Sequence, residues 1–310
     1  MTAKYALPVA GGILSGAMLG ALMTGVPAAM LFLYAVPLPL YVAGLSLGTG
    51  ACALAVAAGT AAATFMGGIT MGGPFLVLFG APAVFIVWKA LSSRTTATQE
   101  IEWYPVGNIL GWLALFALAG IVAAAFAAAG SEGGFEGEIR RMVPEAVNLL
   151  FEGPVPPELA RRIEQWARLF PAMLAMVWIA MTALNAALAE TVLARKGRAK
   201  RPQPAWLSIE APGWTPYAFS AAVILGAIGP PSLRFVGENL APVLAMPYFF
   251  VGVAVAHSLA RRLRTPALAL VIFYMILILL GFVAMVLVAA LGFAEMWLGL
   301  RRRAGASGRP

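Results

Sequence analysis

PALALVIFYMILILLGFVAMVLVAALGFAEMWLGL, residues 266–300, runs for 35 residues with a single charged side chain, Glu295. As one α-helix it would be about 52 Å long, against about 30 Å of hydrocarbon in a bilayer. Gly281, near its middle, divides it into two membrane segments, 265–281 and 283–300. The rest of the chain reads the same way. Apolar residues make up 61% and charged residues 11% of the sequence, whereas soluble domains carry about 25% charged residues. Eight further apolar runs lie at 6–24, 27–46, 50–67, 72–91, 106–129, 169–193, 215–230 and 240–259. These runs are continuous rather than alternating with period two, which argues against a β-barrel. The expected fold is all-α, a polytopic helical membrane protein of about ten segments.

Charge orients those segments. With the N-terminus inside, the inner side holds Lys4, Lys89, Arg94, Arg195, Lys196, Arg198, Lys200, Arg201, Arg261, Arg262, Arg264, Arg301, Arg302, Arg303 and Arg309, 15 of the 21 basic residues. The outer side holds six arginines and eight glutamates. This bias fits an even number of spans with both termini cytoplasmic. Trp88, Trp103, Trp214 and Trp297 fall at expected interfaces. The first segment, with Lys4 before it and VPAA after it, also has the look of a signal peptide; its packing motif favours a retained helix. The expected organisation is a bundle over 1–130 (two tandem hairpins and a fifth helix), an extracytoplasmic amphipathic region at 131–168, further membrane helices at 169–300 and a basic tail at 301–310.

Composition narrows the function classes. Aspartate is absent, and there is one cysteine, Cys52, and one histidine, His257. No intrachain disulfide can form, and no metal site or cofactor is expected. The net charge of +8 is membrane topology, not a nucleic-acid surface, because no basic patch is interleaved with stacking aromatics. The basic loop RKGRAKRPQP (195–204) reads as attraction to anionic headgroups. No P-loop is present, and Ser15 with His257 does not make a convincing nucleophile and base, so no enzyme is expected.

Three constellations stand out. Gly12, Gly16 and Gly20 recur every four residues in GGILSGAMLGALMTG (11–25), with Ala17 and Ala21 beside them. Such a stripe admits close approach of another backbone, either inside the chain or on a docking partner. Pro37 and Pro39 in YAVPLPLYVAG (34–44) free the carbonyls of Leu33 and Ala35 at membrane depth, where protein or cavity water must satisfy them. That stretch matches FLVLFGAPAVFIV (75–87) at an offset of 45, Pro37 on Pro82, as a duplicated hairpin would. Arg234, Glu238 and Asn239 stand at the outer start of the eighth segment; with the three prolines they form the candidate pocket. Thr70, Asn185, Glu190, His257 and Glu295 are further polar groups at membrane depth. Glu295 reads either as an interfacial acid paired with Arg301 or as a working membrane carboxylate, with the first favoured.

The amphipathic region carries PPELARRIEQWARLF, in which Leu159, Ile163, Trp166 and Phe170 share a helix face. It reads as two short helices on the outer surface, a lid or a solvated linker.

Four of these stretches carry a resemblance: the early glycine-rich helix, FLYAVPLPLYVAGLSLG (32–48), IEWYPVGN (101–108) and LLGFVAMVLVAALGFAEMWLGLRRR (279–303). Over nearly its full length the chain resembles the YybS-like bacterial membrane proteins, the domain of unknown function numbered 2232. The N-terminal half of that family is similar to the S components of energy-coupling factor transporters, which capture small solutes and dock on a transmembrane coupling subunit driven by ATPases. The resemblance implies a bacterial inner-membrane location, a small-molecule solute, and Gly12, Gly16, Gly20, Ala17 and Ala21 as the docking stripe. The chain departs from S components in its ten rather than six spans, in the 131–168 region, and in lacking a vitamin-binding motif. Fold likeness alone assigns no function. The expected function is a solute-binding, transport-related membrane component; the alternative is a non-transporting scaffold or assembly factor.

Overall fold

A computed structural model describes residues 3–26, 28–150 and 155–306. The chain is an all-α polytopic membrane protein. Arg309 and the end of the expected tail, and 151–154 of the amphipathic region, lie outside the described residues. Among the described residues seven helices are long and apolar enough to cross a bilayer, and three shorter apolar ones accompany them at Thr215–Ile228, Pro266–Leu280 and Phe282–Leu298. All ten expected segments therefore correspond to helices. Gly281 takes φ +50 between the last two, a conformation that L side chains rarely adopt. It breaks the 35-residue apolar run 266–300.

The chain folds as two compact units, residues 1–109 with 180–205 and residues 110–179 with 206–310. They divide it elsewhere than the expected four-part order does.

In the first unit, helices α1 (Ala3–Gly20), α2 (Ala29–Leu33), α3 (Leu38–Leu47), α4 (Thr49–Gly67), α5 (Ile69–Phe75) and α6 (Ala81–Ala90) follow one another. Strands β1 (Ser93–Thr95) and β2 (Ile101–Trp103), which the apolar pattern did not announce, pair antiparallel with Arg94 opposite Glu102. Helix α7 (Val106–Ala127) begins in this unit, and helix α10 (Phe170–Arg195) ends in it. The two expected hairpins are each interrupted at the expected place. Turn residues 34–37, ending on Pro37, separate α2 from α3, and a π-helical turn, Leu76–Gly80, precedes α6. That wider turn brings Pro82 into the first turn of α6, where a missing N–H costs nothing.

The second unit holds most of α7, then α8 (Gly134–Leu150), α9 (Pro157–Ala167), the first part of α10, α11 (Thr215–Ile228), α12 (Pro231–Ala260), α13 (Pro266–Leu280), α14 (Phe282–Leu298) and α15 (Leu300–Ala306). Its helices cross closely at glycines. A Cβ on Gly252 would lie 1.9 Å from the Val288 carbonyl oxygen, and one on Gly292 1.9 Å from that of Tyr248. Helix α11 meets α12 in the same manner, Gly237 lying against the backbone of Gly226. Beside the α12–α14 crossing, the rings of Phe219, Tyr248 and Trp297 each meet Phe293 edge to face, with Tyr248 and Phe293 5.0 Å apart.

Candidate functional site

The glycine stripe is occupied. A Cβ on Gly12 would stand 2.0 Å from the Ala55 carbonyl oxygen, and one on Gly16 2.5 Å from that of Gly59. Gly20 lies against the Met66 side chain. Partner numbers rise together, so α1 and α4 run parallel. Ala17 and Ala21 flank the contact half-buried. The face expected to dock a partner subunit is instead filled by α4 of the same unit, because Ala55, Gly59 and Ala63 offer it a matching run of small residues.

The proline break is closed by protein. Leu38 N–H donates to the Ala35 carbonyl at 3.0 Å and Val36 N–H to that of Leu33 at 3.4 Å, tightening the broken turn toward 3₁₀ geometry. The carbonyls that follow each of these are taken by side chains: Asn185 Nδ2 donates to Tyr34 O at 2.7 Å, and Ser15 Oγ donates to Val36 O. Ser15 is fully buried, so it caps a backbone break and is no exposed nucleophile. Pro37 and Pro82 are buried. The carbonyls of Leu33 and Ala35, which the prolines free, are thus met inside the broken turn, and those of Tyr34 and Val36 by donors from α10 and α1.

Arg234, Glu238 and Asn239 belong to the second unit, on α12. Asn239 is 1% exposed. Its Oδ1 accepts from Ala172 N–H at 3.1 Å, and its Nδ2 donates to Arg168 O and Phe235 O at 3.0 Å. One amide thereby joins the α9–α10 turn to α12. Glu238 faces Arg168 at 3.3 Å, and Arg168 also faces Glu136 of α8 at 3.2 Å. Ile139, Val143 and Ala167 close an apolar seam between α8 and α9, with Phe135, Ile163 and Phe170 against it. Glu238 and Asn239 thus anchor the amphipathic hairpin, and Arg234 is exposed beside them.

Glu190 and Glu295 share one arrangement. Arg201, in the basic loop, forks onto both oxygens of Glu190, with Nη2 to Oε2 at 3.0 Å, and its Nη1 donates to Ala90 O at 3.0 Å. So one arginine of the loop read as lipid-seeking is buried in the protein. Glu295 is 7% exposed. It accepts from Leu300 N–H at 2.7 Å, Arg301 N–H at 3.2 Å and Arg301 Nε at 2.9 Å, while Arg301 Nη1 donates to Leu207 O and Ile209 O. The expected Arg pairing is present, but not along a continuous helix: Gly299 takes φ +53 and turns the chain back so that Arg301 meets Glu295. His257 is also engaged, Nδ1 with Val253 O at 2.9 Å and its ring against Tyr274. Thr70 donates to Gly67 O.

Beside the Glu295–Arg301 pair lies a half-open cavity of about 450 Å³ whose wall includes Ser208, Glu210, Val251, Met296, Arg301 and Arg302. That volume suits a small ligand. Sequence reading missed it because its walls come from the loop before α11 and the turn after α14, segments about 90 residues apart. The one available signal was Glu295 followed by a glycine and three arginines.

The family model described as "Predicted membrane protein (DUF2232)" matches residues 16–296. The chain belongs to this family. No curated protein and no solved structure matches it. Membership of DUF2232 accords with the apolar helices and adds no assigned activity, so function must be argued from the site itself.

Proposed function

We propose that the chain is a solute-binding component of its membrane, with the cavity beside Arg301 as its site. The observation that carries this is the cavity itself: charged and hydroxyl side chains, Glu210, Arg302 and Ser208, line a concave space beside the apolar helices α12 and α14. With the orientation implied by the basic residues, the cavity opens toward the cytoplasm of a bacterial inner membrane. An ATPase-bearing coupling subunit stays a proposal supported by the S-component resemblance, since the stripe that would dock it packs on α4. The test is ligand-induced thermal stabilisation of the purified chain in lipid nanodiscs against a library of small polar solutes. Stabilisers whose effect disappears in Ser208→Trp, which fills the mouth from an exposed position, support the reading. Stabilisers indifferent to that change, or none at all, refute it.

The scaffold reading has a separate observation in its favour. Opposite its α1-facing side, α4 carries Ala53, Ala57 and Ala61 exposed at four-residue spacing, along an open groove with Phe65, Leu76 and Val84. A helix of another membrane protein fits such a face. Disulfide or photo-crosslinking from Ala57→Cys in native membranes tests it: a discrete adduct supports association through α4, and none removes the reading's support.

A further inference from the structure

We infer that this cavity takes a zwitterion, a ligand presenting an ammonium group to Glu210 and an anionic oxygen group to Arg302. The inference rests on the solute-binding reading above and names its ligand class. Four charged groups line the cavity: Glu210, Glu295, Arg301 and Arg302. Two of them are spoken for. Both oxygens of Glu295 accept hydrogen bonds from Leu300 and Arg301, and Arg301 divides its donors between that carboxylate and two loop carbonyls. Glu210 and Arg302 differ. Both are exposed at the cavity, and among the described residues neither has an ion pair or a side-chain hydrogen bond, with each other or with any third group.

Two opposite charges lining one cavity without neutralising each other leave two demands of opposite sign. An anion satisfies Arg302 and meets repulsion from Glu210; a cation does the reverse. A ligand carrying both charges satisfies both, with charge-assisted hydrogen bonds at each end. The backbone holds Arg302 for this part. A Cβ at Gly299 would come within 3.1 Å of its Nη2 and 3.2 Å of its Nε, so the guanidinium lies folded back over the left-handed turn, with no side chain at 299 to push it away. Val251 and Met296 supply apolar wall for the body of the ligand. The ligand's source is either a free compound such as an amino acid or a phosphoethanolamine headgroup at the bilayer edge; the recognising chemistry is the same.

The experiment uses the full chain, in phosphatidylglycerol nanodiscs for the first arm and in nanodiscs of mixed phosphatidylglycerol and phosphatidylethanolamine for the second. One arm measures binding of the α-amino acids and O-phosphoethanolamine against their N-acetylated and esterified forms. The other measures by native mass spectrometry whether phosphatidylethanolamine is retained in preference to phosphatidylglycerol. The expected result is that a zwitterion binds at least about tenfold tighter than either single-charge form. Glu210→Gln should remove the contribution of the ammonium and Arg302→Gln that of the anion, each without changing the unliganded melting temperature. Dependence of this kind in the first arm assigns a free solute, and in the second a lipid headgroup. If single-charge forms bind as well as zwitterions and Ser208→Trp abolishes them all, the zwitterion inference fails while the solute cavity stands. If neither arm shows binding, both fail.

Discussion

Arg201 and Glu190, eleven residues apart, form a bidentate pair with side chains 5% and 6% exposed, and the same guanidinium reaches the last carbonyl of α6. The pair ties the loop after α10 to two helices of the first unit. Glu295 and Arg301 repeat the device in the second unit, where the arginine holds Leu207 and Ile209. In both, a carboxylate near a helix end meets an arginine from the segment that follows, and the arginine also donates to backbone oxygen. That satisfaction is what makes a buried ion pair tolerable.

Arg201→Met should therefore cost about 3–5 kcal/mol, since it strands Glu190 without a partner, and Arg201→Met with Glu190→Leu should recover much of that loss. Thermal unfolding of the purified single and double variants in detergent checks it. Equal loss in single and double variants would show that the pair's charge is not what matters.

Glu295→Gln keeps the shape of the side chain but removes a carboxylate that accepts three hydrogen bonds. A loss of about 1.5–3 kcal/mol is expected, the range for hydrogen bonds to charged groups. Arg301→Ala should also free the 207–209 segment, and protease cleavage there should rise. A silent Glu295→Gln would return the residue to an interfacial role.

Gly16→Leu should leave little folded protein in the membrane, because the added atoms meet the Gly59 carbonyl and Ala62. Overpacking costs about 1–3 kcal/mol where neighbours can move, and more is expected here since the obstacle is backbone. Gel-filtration monodispersity of the extracted protein reads this out. A well-folded variant that merely loses a partner would restore the docking assignment.

Asn185→Ala removes the donor to Tyr34 O at the proline break. About 1–3 kcal/mol should be lost, the cost of a buried carbonyl left unpaired. Ser15→Ala should act in the same way at Val36 O. The double variant should lose more than either one, as measured by hydrogen exchange of residues 34–41.

The helical segments were legible in the sequence because a bilayer imposes apolarity on each segment separately, whereas their grouping into two units was not. An apolar run can be recognised without knowledge of its neighbours. The breaks at Pro37, Pro82 and Gly281 were legible for a similar reason, since proline and glycine act on their own backbone. Partner choice was not. Gly12 and Gly16 announce a close contact, but nothing local says whether α4 or another protein supplies it. Glu238 and Asn239 at the mouth of a helix look the same whether they receive a solute or clamp the α9–α10 turn. Arg201 looks like the other basic residues of its loop until Glu190 and Ala90 O are placed around it. The cavity is the extreme case, its lining drawn from the loop before α11, from α12, and from α14 with the turn that follows it. What each residue prefers could be read along the chain; what satisfies it depends on groups far away in sequence, and only folding brings those within hydrogen-bonding distance.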